Sequence, residues 1–144
     1  MHDKKSFLIG LLLIVGGGLL YLLFRSRQVL LLYVLDSTPL SHSITQMRGM
    51  ASAWQPSEWV VYSLPGGLWS AAYILVIHGL MHTLETSVRW RWACVIPLMG
   101  AFSELGQALH LIPGTFDVAD LVCYLLPYII YSFYLKLKIY RHEQ

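Results

Sequence analysis

The sequence predicts an all-α membrane protein, a four-helix transmembrane bundle with a long first outer loop, as one domain over residues 1–144. Three observations carry this expectation. Of the 144 residues 56% are apolar and only 12% charged, where a soluble domain has just under half apolar and about a quarter charged residues. The mean hydropathy is +0.57. Four apolar stretches approach the roughly 20 residues that a bilayer core about 30 Å thick demands of a crossing helix. A formal charge of +2 is too small to suggest nucleic-acid binding. Two cysteines are too few for a disulfide scaffold, and neither sits in a CxxC or Cys/His zinc spacing. A disordered chain, a secreted cystine-rich module and an ordinary cytosolic enzyme are thereby excluded.

The first span covers residues 7–24, between Lys4–Lys5 and the basic pair Arg25 and Arg27. A signal peptide would end in small residues at a cleavage site, whereas a basic stop follows here, so the helix reads as retained. The second runs over 66–83, after the breaker Leu64-Pro65-Gly66-Gly67. The third covers 92–112 and ends at Pro113-Gly114. The fourth covers 116–135. The outer loop, 26–65, begins with an apolar run over 29–35 that is too short to cross and reads as interfacial, re-entrant or packed on the bundle. Trp54, Trp59, Trp69, Trp90 and Trp92 fall near the span boundaries, as amphipathic rings do. Gly16-Gly17-Gly18 offers a surface for close helix packing.

Basic residues remain on the cytoplasmic side. With the N-terminus inside, Lys4, Lys5, Arg89, Arg91, Lys136, Lys138 and Arg141 lie inside, and Arg25, Arg27 and Arg48 outside. Seven against three places both termini in the cytoplasm of a multi-pass protein of a bacterial inner membrane. At 1.5 Å rise per residue, Cys94 and Cys123 should differ in depth by roughly 15–20 Å. A disulfide needs Cα atoms within about 7 Å, so none is expected.

Ionisable side chains within an apolar span are costly and point to function. The outer group comprises Ser103, Glu104, Gln107, His110, Asp117 and Asp120. Glu104, twelve residues past Trp92, lies roughly 18 Å along the third helix. Gln107 shares its face, and His110 is expected to continue that stripe. After the turn at 112–115, Asp117 and Asp120 share a face of the fourth helix, and Tyr124, Tyr128 and Tyr131 extend it inward. Glu104, Gln107 and Asp120 should then converge, with Asp117 at the rim. Carboxylates gathered in a low dielectric repel one another, so at least one is expected to have a raised pKa or to hold a cation. Asp117 also suits an N-cap of the fourth helix, and Glu104 and Gln107 could simply hydrogen-bond across the bundle.

A second, inner group is His78, His82 and Glu85. The spacing HxxxHxxE lines one helical face and can chelate a transition metal. One helix supplies at most three ligands and no partner motif is near, so a boundary role beside Arg89 and Arg91 is the preferred reading. No GxSxG, P-loop, GxGxxG or HExxH motif occurs, and no cofactor is expected.

The stretch Ser103-Glu104-Leu105-Gly106-Gln107, followed by Pro113-Gly114-Thr115-Phe116-Asp117-Val118-Ala119-Asp120, resembles the VanZ-like family of small bacterial integral membrane proteins. That family has a glutamate with a glutamine three residues on, a proline-containing turn, and FDxxD leading into the last helix. Glu104, Gln107, Asp117 and Asp120 match these positions. Thr115 stands where a basic residue is often found before FD, and Tyr124 where an asparagine often follows the second aspartate. The resemblance covers about the last third of the chain. It implies that the outer carboxylates form a site and that the role concerns the cell envelope, the namesake being linked to tolerance of the glycopeptide teicoplanin.

Three functional expectations follow. The first is an outer-leaflet acidic and aromatic pocket of Glu104, Gln107, His110, Asp117, Asp120 and Tyr124, binding an amphiphile or lipid-linked envelope precursor. The second is an intramembrane enzyme using Glu104, Asp117 and Asp120 on a lipid headgroup. It has no obvious nucleophile, and Arg25 or Arg48 would have to fold in to hold a phosphate. The third is an oligomeric channel or assembly subunit. Expected partners are membrane lipids, such an amphiphile, and a second copy of the chain, with no nucleic acid.

Overall fold

A computed structural model describes residues 2–26 and 30–142. Arg27, Val29 and the side chain of Arg141, which entered the charge and loop readings, lie outside the described residues. Among the described residues the regular secondary structure is helical, without strands, in the order α1 (His2–Phe24), α2 (Leu30–Asp36), α3 (Ser41–Ala51), α4 (Glu58–Tyr62), α5 (Leu64–Leu80), α6 (Thr86–Ala93), α7 (Val95–Ala108) and α8 (Val118–His142). Two helical stretches, Lys4–Phe24 and Val118–Lys138, are long and apolar enough to cross a membrane, and Leu64–Leu80 is apolar but shorter.

Helix α5 is the hub, packed against α1 on one side and α8 on the other, and α7 pairs with α8. Contact with α1 relies on small residues. A Cβ at Gly10 would strike Val76 and the Ala72 carbonyl, and one at Gly17 would strike the Trp69 indole, while Gly16 and Gly18 face open space. Of the glycine run, therefore, only the middle member supports close approach. The rest of α1 presents Leu8, Leu12 and Val15 outward, Leu12 at 70% exposure. Between α5 and α8, the Ser70 hydroxyl donates to the Tyr124 carbonyl at 2.8 Å. Small residues and interhelical hydrogen bonds of this kind are what association requires where a hydrophobic driving force is absent. Farther along both helices, Ile74 and Ile77 close with Ala93, Tyr131 and Leu135 into the principal apolar cluster.

The third expected helix, 92–112, is corrected by the structure. It is interrupted at Cys94 and ends at Ala108. Pro97 explains the interruption: it has no N–H to give the Ala93 carbonyl, and its ring would clash with that group in a continuous helix. Pro97 sits instead in the first turn of a new helix, α7, where the missing donor costs nothing. Helix α7, with 14 residues, is about 21 Å long. The fourth helix runs farther than its expected end at 135, to His142.

The segment between α1 and α5 folds back on the bundle. Leu32 of α2 is buried, whereas Tyr33 and Val34 are exposed. Arg48 of α3 reaches the C-terminus of α1, where Nη1 donates to the Leu22 carbonyl at 2.6 Å and Nη2 to the Arg25 carbonyl at 2.8 Å. Carbonyls in the last turn of a helix have no partner within it, and a cation there also meets the negative end of the helix dipole.

Candidate functional site

A pocket of about 540 Å³ opens where the C-terminus of α1, the N-termini of α5 and α8 and the C-terminal half of α7 meet, with α4 on its flank. Its charged lining consists of Arg25, Glu58, Glu104, Asp117 and Asp120. Glu104 is the most deeply placed, at 4% exposure. Its Oε2 accepts the Asp117 backbone N–H at 3.2 Å, which ties the start of α8 to α7. It lies within electrostatic range of both Asp117 and Asp120. Asp120 Oδ1 is buried with no hydrogen-bond partner among the described residues. Asp117, exposed at the rim, accepts the Ala119 N–H on Oδ1 at 2.8 Å. That bond to the second residue of α8 is an N-cap, so Asp117 serves the helix as well as lining the pocket.

Aromatic rings make up much of the remaining wall: Tyr21, Trp59, Tyr62, Trp69 and Tyr124. Tyr124 is held between two helices by glycines. A Cβ at Gly100 would collide with its ring, and one at Gly66 would come within 3.1 Å of its hydroxyl. Arg25 enters from the end of α1, its guanidinium 4.5 Å from the centre of the Tyr62 ring and 5.7 Å from that of Tyr21. Cation–π contact of this kind holds a charge in place without neutralising it. Gln107 also lines the pocket, with its amide packed on Gly114 (φ +137°), a conformation that favours glycine.

Of the expected outer group, Ser103, Glu104, Gln107, Asp117, Asp120 and Tyr124 come together around this cavity. His110 does not, which corrects its assignment to the stripe. It has φ +55°, its N–H donates to the Gln107 carbonyl, and the Leu111 N–H donates to that of Gly106. These two bonds form a Schellman motif, so His110 terminates α7 and stands outside the pocket. Sequence reasoning missed Glu58, Trp59 and Tyr62, and mentioned Arg25 only as a residue that would need to fold in. The signal available was α4 itself, a short apolar-aromatic run just before Leu64-Pro65-Gly66-Gly67, which forms the first turn of α5 and not a break ahead of it.

The inner group is dispersed. His78 is buried, with Nδ1 3.0 Å from the Tyr131 hydroxyl. Because α5 ends at Leu80, His82 and Glu85 leave the helical face: His82 bonds the Gly79 carbonyl, and Glu85 precedes α6 and accepts from the Ser87 hydroxyl. Among the described residues, no set of three or more His, Cys, Asp or Glu side chains is arranged to hold a metal ion. Both cysteines are free thiols.

No family model, curated protein or solved structure matches this chain.

Proposed function

We propose that this is a polytopic membrane protein of VanZ-like type that binds the head of an amphiphile in the pocket between α1, α4, α5, α7 and α8. The observation that carries the reading is a 540 Å³ recess combining one cation, four carboxylates and five aromatic rings in a chain of this hydropathy. Ionisable residues inside such a bundle face protein or a water-filled cavity and mark binding sites or relays. The shortness of α5 and α7 suits it too: helices that stop short of a full crossing leave an aqueous recess, and irregular backbone such as 109–117 is tolerated where it lines a cavity. In this reading α1, α5, α6 with α7, and α8 form the four-helix transmembrane bundle. In the same reading, the distribution of basic residues favours cytoplasmic termini and a pocket at the outer leaflet of the inner membrane. An envelope precursor or envelope-active compound is the matching ligand class.

The test is Glu104→Ala and Asp120→Ala in cells challenged with envelope-active antibiotics. Both variants should insert normally and lose the protection given by the parent protein. Wild-type protection from both would remove the pocket from the function.

A second reading, an intramembrane enzyme acting on a lipid headgroup, is favoured by Arg25, which supplies the positive group that phosphate chemistry needs beside Glu104 and Asp120 as acid and base. Release of a soluble headgroup from lipid vesicles containing the protein would establish it; unchanged lipid leaves binding as the function.

A further inference from the structure

We infer that α3 lies along the lipid–water interface at the C-terminal end of α1, with Leu40, Met47, Met50 and Trp54 turned into the upper acyl region of that leaflet; this rests on the membrane-spanning reading of α1 above. At about 3.6 residues per turn, Leu40, Met47 and Met50 share one apolar arc, and Trp54 follows just past the helix end. All four are exposed, Met50 at 84%. Next to this arc Ile44, Arg48 and Ala51 are half-buried, and the far side presents His42, Ser43 and Gln46 to solvent. The apolar face of α3 is thus wider than the part its packing on α1 covers.

Lipid is the occupant that the surroundings supply. Only 11% of the most apolar stretch of α1 is buried inside the molecule, and Leu8, Leu12 and Val15 point outward, a surface that suits hydrocarbon. α3 is fixed at the end of that surface. Arg48 holds the Leu22 and Arg25 carbonyls, and the Trp54 ring meets Phe24 edge-on, with centroids 5.1 Å apart. The apolar arc of α3 therefore continues the outward face of α1 where hydrocarbon gives way to headgroups. Trp59 and Tyr62 are half-exposed at the same end, and amphipathic rings favour that depth. Arg48 is the only Lys, Arg, Asp or Glu of α3, and it is engaged on α1. Apolar burial, not headgroup charge, then seats the helix. Held so, Arg25 and Tyr62 stand at headgroup level, where an amphiphile reaches the pocket without leaving its leaflet.

The test places single cysteines at Met50, Gln46 and Leu12 of the full-length chain, with Cys94 and Cys123 replaced by alanine. Each variant is reconstituted in phosphatidylcholine vesicles and treated with a water-soluble maleimide. Met50→Cys should react at least roughly tenfold slower than Gln46→Cys, because the reagent attacks the thiolate and hydrocarbon disfavours that charged form. The ratio should be unchanged when phosphatidylglycerol is added; a ratio that appears only with the anionic lipid overturns apolar seating. If the alanine background does not fold, the unsubstituted chain decides: the emission that Trp54→Phe removes should be quenched by lipid brominated in the upper acyl chain, and an unquenched difference overturns the proposal. Should Met50→Cys react as fast as Gln46→Cys while Leu12→Cys is protected, α3 lies in water and the spanning reading of α1 stands. Free reaction of Leu12→Cys as well removes both. Oxidative crosslinking of Met50→Cys between two chains assigns the face to a second copy and overturns the lipid assignment.

Discussion

The two ends of the bundle treat polar residues in opposite ways. Around α6 and the C-terminal half of α8, most polar groups find one another: His78 with Tyr131, the Trp90 indole with the Ser132 hydroxyl at 3.0 Å, and the Tyr73 hydroxyl with the Trp92 carbonyl at 3.0 Å, while Arg89, at 7% exposure, gives Nη2 to the Thr86 hydroxyl within α6 and keeps a buried Nε with no partner among the described residues. At the pocket end, charged groups surround open volume instead. The first pattern holds helices together; the second lines a recess with charge. A polar residue in an apolar sequence therefore carries information about function only once its partners are known.

This contrast can be broken by substitution. The largest effect belongs to Gly100→Ala, whose methyl group would displace the Tyr124 ring. Overpacking typically costs about 1–3 kcal/mol, and the variant should melt lower in detergent and lose the protection that Glu104→Ala tests. His78→Ala strands the buried Tyr131 hydroxyl, with an expected loss of about 1–3 kcal/mol. It should lower the melting temperature in detergent while leaving protection against envelope-active antibiotics unchanged. A coupled loss of protection would show that the two ends do not act separately. Arg48→Ala frees the Leu22 and Arg25 carbonyls; at a partly exposed site the stability cost is about 1 kcal/mol. It should loosen the seat of Arg25 and reduce protection less than Glu104→Ala or Asp120→Ala does. Smallest is Trp90→Phe, which removes one interhelical bond worth about 0.6 kcal/mol and should register only as a slight shift in melting.

Much of the pocket could be read from the sequence because acids are expensive in apolar helices. Glu104 and Asp120 stood out on that ground alone, and the short connection between their helices made convergence the natural outcome. Arg25, Glu58, Trp59 and Tyr62 could not be found in the same way. They join the site through the fold-back of a long segment whose helices are too short to display a period, and that path depends on tertiary contacts such as Arg48 on α1. The break at Cys94 was legible, since Pro97 lies inside the expected third helix, yet hydropathy averages across such a point. His110 misled for a local reason: a left-handed residue ending a helix is usually glycine, so nothing in the residue type announces the stop.

The grip of Arg48 on the last carbonyls of α1 makes the seat of Arg25 a property of a segment that never touches the cavity. Under the proposed binding role, sequence change in α3 would retune what the recess prefers while every group lining it stays the same. For an engineer this is a remote adjusting screw; for natural variation it is a route to altered selectivity that inspection of the lining alone would overlook.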